Sequence, residues 1–246
     1  MSNALNTLSF QIDRTPEFAA EGAVRVDFVI NGTPVSDELL NVAGILFGGA
    51  ADRCSYYLFT CSCGVAGCND FHQPLDQIRK DDQVIWQIED EKLARVLGAK
   101  TLSFDLEAFD AARQSLLADL KDLETKGLFA ESLMDTHYSS QESRMVGIPL
   151  AEITARLVPY YHGQTKMHEA LDAAGAAEDS QSLRAIWEHD TEFFTFTPSS
   201  LAARLLNLGE SVFPDDVERV NALGKVAQIL RDFFATADEK AAEAAF

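Results

Sequence analysis

Long hydrophobic runs are missing from this 246-residue chain. No stretch approaches the ~18 uninterrupted apolar residues that a membrane span requires. Met1–Gln11 carries neither the basic start nor the apolar core of a secretory signal. Basic residues are scarce: 20 Lys and Arg stand against 39 Asp and Glu, a formal charge of −19. A diffuse negative field of that size disfavours nucleic acid and anionic membrane surfaces as direct partners, and suits a basic protein or a cationic ligand. Two common catalytic signatures are absent as well. Gly44-x3-Gly48-Gly49 lacks the Lys-Ser/Thr of a phosphate-binding loop, and no Gly-x-Ser-x-Gly nucleophile elbow occurs. What remains is a 47% hydrophobic composition, which can bury a sizeable core in one large domain or two small ones. A cytoplasmic globular protein is expected.

Period-two patterning dominates the first half. In Ala23–Ile30 the residues Val24, Val26, Phe28 and Ile30 share one face, and the run stops at Asn31-Gly32, a strong hairpin signal. Leu8–Ile12, Ser55–Cys63, Gln83–Ile88 and Thr101–Leu106 also read as strands. Ser36 followed by Asp37 and Glu38 resembles a helix start, with Leu39, Leu40, Ala43 and Phe47 on one side. A strong helix is predicted from about Glu107 to Lys126, with Phe109, Leu116, Leu120 and Leu123 aligned and Gly127 as its stop.

From Leu128 onward the pattern turns helical. Helices are expected over Pro149–Tyr161, Thr165–Ala174, Ser180–His189, Ser199–Leu208 and Asp215–Ala235, with Glu192–Thr197 as one apolar segment. The fold class is therefore α+β: a small antiparallel sheet and a long helix in the N-terminal half, then a mostly helical C-terminal half. The organisation expected is an α+β domain over residues 1–128 and a mainly helical region over 129–246, packed on it or separate.

The four cysteines, Cys54, Cys61, Cys63 and Cys68, fall within fifteen positions. A secreted disulfide scaffold would spread them over a shorter chain, so disulfides are the last choice. Cys61, Cys63 and Cys68 form C-x-C-x4-C, and His72 follows four residues later. Three thiols and an imidazole are the donor set of a closed tetrahedral zinc site, and Gly64 and Gly67 permit the reversal that such a site needs. Cys54 lies seven positions before Cys61. On an unbroken strand it would point to the opposite face, about 23 Å away, leaving His72 as the better fourth ligand. Inert buried thiols and a redox role fit the same spacing, though no nearby Lys or Arg marks an activated thiolate.

C-x-C-x4-C resembles the post-SET zinc motif of lysine methyltransferases, in which three such cysteines share a zinc with a fourth. The likeness covers eight residues, and methyltransferase activity does not follow from it. The longer string Phe59-Thr60-Cys61-Ser62-Cys63-Gly64-Val65-Ala66-Gly67-Cys68 is similar to a segment shared by uncharacterised bacterial proteins, which implies a family without a function.

Elsewhere the bland readings are stronger. His162 and His168 are six apart, too far for one helical face, and surface or capping roles suit them. Glu89-Asp90-Glu91 and Asp105/Glu107 read as strand ends and a helix N-terminus. Trp187, Phe193, Phe194 and Phe196 read as core. Together these features point to a non-catalytic acidic binding protein of inhibitor or immunity type, with a basic protein as partner and a structural zinc on Cys61, Cys63, Cys68 and His72. The alternative is a thiol- or metal-dependent enzyme or redox protein using Cys61, Cys63 and Cys68.

Overall fold

The structure, a computed structural model, describes residues 5–13, 23–35, 39–60, 70–71, 73–130, 149–173 and 217–244. The chain forms two compact units, Met1–Val158 and Pro159–Phe246.

The alternating run at Ala23–Ile30 becomes strand β2, the centre of the first sheet. Strand β1 (Leu8–Asp13) lies antiparallel along it, from Leu8 opposite Ile30 to Asp13 opposite Arg25. Asn31-Gly32 turns the chain into β3 (Thr33–Pro34) on the opposite edge of β2. Both turn residues have positive φ, 52° and 78°, as the type I′ turn that matches strand twist requires. The short strand β10 (Phe129–Ala130) adds parallel to β2 beside Ala23 and Val24.

The second sheet runs β5 (Arg53–Tyr56), β7 (Leu75–Lys80), β8 (Gln83–Gln87), β9 (Thr101–Asp105), antiparallel throughout. Asp81-Asp82 closes the β7–β8 hairpin, again with both φ values positive. The connection from β8 to β9 carries helix α2 (Glu91–Leu97), capped by Asp90, whose carboxylate accepts from the Lys92 and Leu93 N–H groups. Helix α3 (Leu106–Thr125) starts straight from β9, with Asp105 accepting from the Ala108 N–H at 2.9 Å. Asp90 of the Glu89-Asp90-Glu91 run and Asp105 thus each supply a helix N-cap. The two sheets are tied where Asn6 bridges to Phe104, its N–H reaching the Ser103 carbonyl at 2.8 Å.

Trp86 is fully buried at the centre of this unit. Phe28 stacks on it at 5.8 Å, while Phe104, Phe109 and Tyr56 meet it edge-on at 4.8, 5.9 and 6.4 Å. One sheet supplies Phe28, the other supplies Tyr56, Trp86 and Phe104, and α3 supplies Phe109. Edge-to-face packing of this kind adds about 0.5–1.5 kcal/mol per pair beyond area burial.

Several expectations are corrected. Leu39 and Leu40 do not open a helix: they form strand β4, antiparallel to β6 (Phe59–Thr60). The helix there, α1 (Val42–Phe47), begins after Asn41, whose side chain accepts from the Gly44 N–H and donates to the Tyr57 carbonyl. The strand expected over Ser55–Cys63 breaks after Tyr56, and its continuation, β6, joins a different sheet. Strand β7 and helix α2 add to the expected elements. Helix α4 (Leu150–Ala173) is continuous through Pro159 and Gly163, where two helices were expected. Helix α5 (Val217–Ala244) buries Leu223, Val226 and Leu230 and leaves Val217 69% exposed. His168 is buried, not at the surface. The segments Ser180–His189, Glu192–Thr197 and Ser199–Leu208, with Trp187 and the three phenylalanines, lie outside the described residues.

Candidate functional site

Cys61, Cys63, Cys68 and His72 also lie outside the described residues. On either side of the three cysteines, Phe59 and Phe71 are buried. Strand β6 delivers the chain at Phe59–Thr60, and Phe71 returns to pack on Phe59 with ring centroids 5.5 Å apart, both rings 2% exposed. Lys92 Nζ sits 4.4 Å over the Phe71 ring. Gln73 donates its N–H to the second carboxylate oxygen of Asp90 at 3.2 Å, so the residue that caps α2 also anchors the returning chain. The described residues on either side of the three cysteines, Phe59 and Phe71, therefore meet at one buried aromatic contact. Among the described residues, no group of three His, Cys, Asp or Glu could hold a metal ion.

Cys54 lies on β5, which ends at Tyr56. The broken strand removes the parity argument that set it apart from Cys61. Its thiol is nonetheless engaged elsewhere, donating to the Gly48 carbonyl at 3.1 Å within the core.

That carbonyl belongs to the main polar site of the described molecule. Helix α1 runs into a 3₁₀ turn, Gly48–Ala50, and both are buried, so their terminal carbonyls need donors from the protein. Gln77 on β7 shares the two hydrogens of its Nε2 among the Gly48, Gly49 and Ala51 carbonyls, at 3.1, 3.2 and 3.1 Å. Its Oε1 accepts from the Tyr56 hydroxyl at 2.9 Å and the Trp86 indole N–H at 3.1 Å. Arg113 on α3 donates from Nε to the Ile45 and Leu46 carbonyls, and from Nη2 to Leu46 again. Arg79 donates from Nη1 to the Gly49 and Ala50 carbonyls at 2.9 and 3.0 Å. Asp110 bridges the two guanidiniums, pairing with Arg113 at 2.8 Å and with Arg79. Gly49 has no side chain for good reason, because a Cβ there would lie 2.8 Å from Arg113 Nε.

Electrostatics follow from this geometry. Burial pushes the Tyr56 hydroxyl well above its ordinary value, reinforced by Cys54 and opposed by Arg113 and Arg79. Burial lowers the Arg113 pKa, while Asp110 works against that fall. Tyr56 stays protonated through the neutral range and donates to Gln77. Each guanidinium donor described here meets a carbonyl or a carboxylate. The cluster holds a helix end in the core.

The chain matches no protein-family model, no curated protein and no solved structure.

Arg113 had a legible signal. The buried stripe of α3 runs Phe109, Arg113, Leu116, Leu120, Leu123, and a guanidinium at a core position implies buried acceptors facing it. Gln77 had none, because β7 carries Asp76, Gln77, Arg79 and Lys80 among only two aliphatic residues.

Proposed function

We propose that this is a cytoplasmic, non-catalytic binding protein that takes a basic protein on its acidic surface, as an inhibitor or immunity protein does. The observation that carries this reading is the partition of charge. Arg79 and Arg113 turn inward onto backbone carbonyls. The carboxylates of Asp52, Asp70, Asp81, Asp82, Glu89, Glu91, Asp105 and Glu107 face outward. Two of the 20 cations are thus withdrawn from the surface of a chain that already carries −19. Such a field raises the encounter rate with a cationic partner and repels polyanions.

The same reading gives Cys61, Cys63, Cys68 and His72 a structural role, holding zinc. Support comes from the donor set and from the closed base of the segment. Phe59 precedes Cys61 by two residues and Phe71 immediately precedes His72, and the two rings pack together. A zinc there would cross-link a segment whose flanking residues the core already joins, which adds stability without an open coordination position.

The test is retention of a basic protein from native cell lysate on the immobilised chain, followed across a salt gradient. The expected outcome is a partner of high isoelectric point released steeply as screening shortens the reach of surface charge. A partner held equally at low and high salt would contradict the reading.

A further inference from the structure

The Asn31-Gly32 turn has chemistry beyond its conformation. In an Asn-Gly pair the glycine nitrogen, unhindered by a Cβ, can attack the asparagine carboxamide carbon. A new C–N bond forms, the Cγ–Nδ2 bond breaks, and ammonia leaves with the proton lost by the Gly32 N–H. Water then opens the resulting succinimide at either carbonyl, giving aspartate or isoaspartate. In this fold the turn is exposed, and a Cβ placed at Gly32 would meet nothing within 4 Å, so water has free access.

The carboxamide itself is held. Asn31 Oδ1 accepts from the Thr7 N–H at 2.9 Å, and Asn31 Nδ2 donates to Asn6 Oδ1 at 2.9 Å. The Asn31 N–H in turn donates to the Thr7 carbonyl at 3.0 Å. Asn6 completes the chain of contacts, its Nδ2 and its backbone N–H both reaching the Ser103 carbonyl on β9. One amide clamp therefore fixes the Asn31 side chain toward the start of β1 and ties the first sheet to the second.

We propose that Asn31 is a spontaneous deamidation site gated by this clamp, and that the modification loosens the joint between the sheets. The rotation that aligns Cγ with the Gly32 nitrogen competes with these side-chain bonds and with the Thr7 hydroxyl, which donates to Asn31 Oδ1 at 3.4 Å, so the reaction proceeds from molecules in which the clamp is open. The product removes the Nδ2 donor. The new carboxylate at position 31 then faces Asn6 Oδ1 with acceptor against acceptor. Turning the Asn6 amide to answer it forfeits the Asn6 Nδ2 bond to Ser103. Isoaspartate adds a methylene to the backbone and breaks the register that the two-residue turn sets.

The experiment follows the peptide containing residue 31 by mass spectrometry, as the full-length protein ages at mildly alkaline pH. The gain of one mass unit should be slowest in the folded wild type and fastest in urea. In folded Asn6→Ala it should be faster than wild type by about fivefold, the factor for one lost hydrogen bond. A second measurement needs no variant. Through sub-denaturing urea, deamidation and hydrogen exchange of the Thr7 N–H should rise in parallel, because both require the clamp to open. Equal rates in folded and unfolded wild type, or Thr7 exchange rising while residue 31 does not react faster, would overturn the proposal.

Discussion

Gln77 satisfies five buried groups from one side chain: three carbonyls, a hydroxyl and an indole N–H. Its replacement by leucine would take a partner from each of them in a dry core, although the Gly48 and Gly49 carbonyls keep Cys54 and Arg79 as donors, and each group left orphaned costs about 1–3 kcal/mol. Gln77→Leu is expected to lower unfolding free energy by about 3–5 kcal/mol in denaturant titration, among the largest effects of a single substitution. A loss below about 1 kcal/mol would mean that water replaces the amide. At the same cluster, the Cβ of Gly49→Ala would press on an Arg113 side chain locked by four hydrogen bonds to Ile45, Leu46 and Asp110. About 1–3 kcal/mol of overpacking is expected, read as a shift in the denaturation midpoint.

Tyr56 gives the pH dependence. Burial raises its pKa in the folded state, whereas the unfolded chain ionises near the ordinary value of about 10. Its contribution is complete below that pH and is lost as pH rises above it, because the unfolded state then gives up a proton that the folded state keeps. Above pH ~10, wild type should lose stability faster than Tyr56→Phe by up to about 1.4 kcal/mol per pH unit. Parallel stability curves for the two proteins would contradict this assignment.

At the scale of elements, local signals were legible wherever one residue type decides the conformation. Asn31-Gly32, the α3 stripe from Phe109 to Leu123 and the stop at Gly127 all announce themselves, and the structure follows each. Elements set by tertiary demand did not announce themselves. Strand β7 is polar, so its pattern is hidden, and its turn uses Asp81-Asp82 where glycine would have been the signal. Replacing that pair by Asn-Gly should relieve left-handed strain and stabilise the protein by about 1 kcal/mol, raising Tm by about 2–4 °C. The end of the expected strand at Tyr56 was equally hidden, since nothing in Tyr57-Leu58 forbids extension. It is Asn41, bonding to the Tyr57 and Leu58 carbonyls from another segment, that shapes the break. Asp90 looked like one member of an acidic run, yet it caps α2 and holds Gln73. Asp90→Ala is expected to cost about 1–2 kcal/mol in chemical denaturation, since a buried cap and a loop anchor are lost together.

At the scale of the whole molecule, the α+β architecture was legible, and the division of the described strands among separate sheets was not. Charge excess reads directly from composition, but its inward and outward partition needs coordinates. Arg113 is buried because α1 ends inside the core, a fact carried by residues more than sixty positions away. The candidate zinc ligands rest on sequence spacing, and the fold adds the joined base at Phe59 and Phe71. No described helix is long and apolar enough to cross a membrane. The metal decides between a braced binding scaffold and a chain whose thiols are simply buried. Its content should be measured by inductively coupled plasma mass spectrometry on untagged protein, with Cys63→Ser beside it. The account predicts about one zinc per chain, lost in the variant. No zinc in either protein would contradict it.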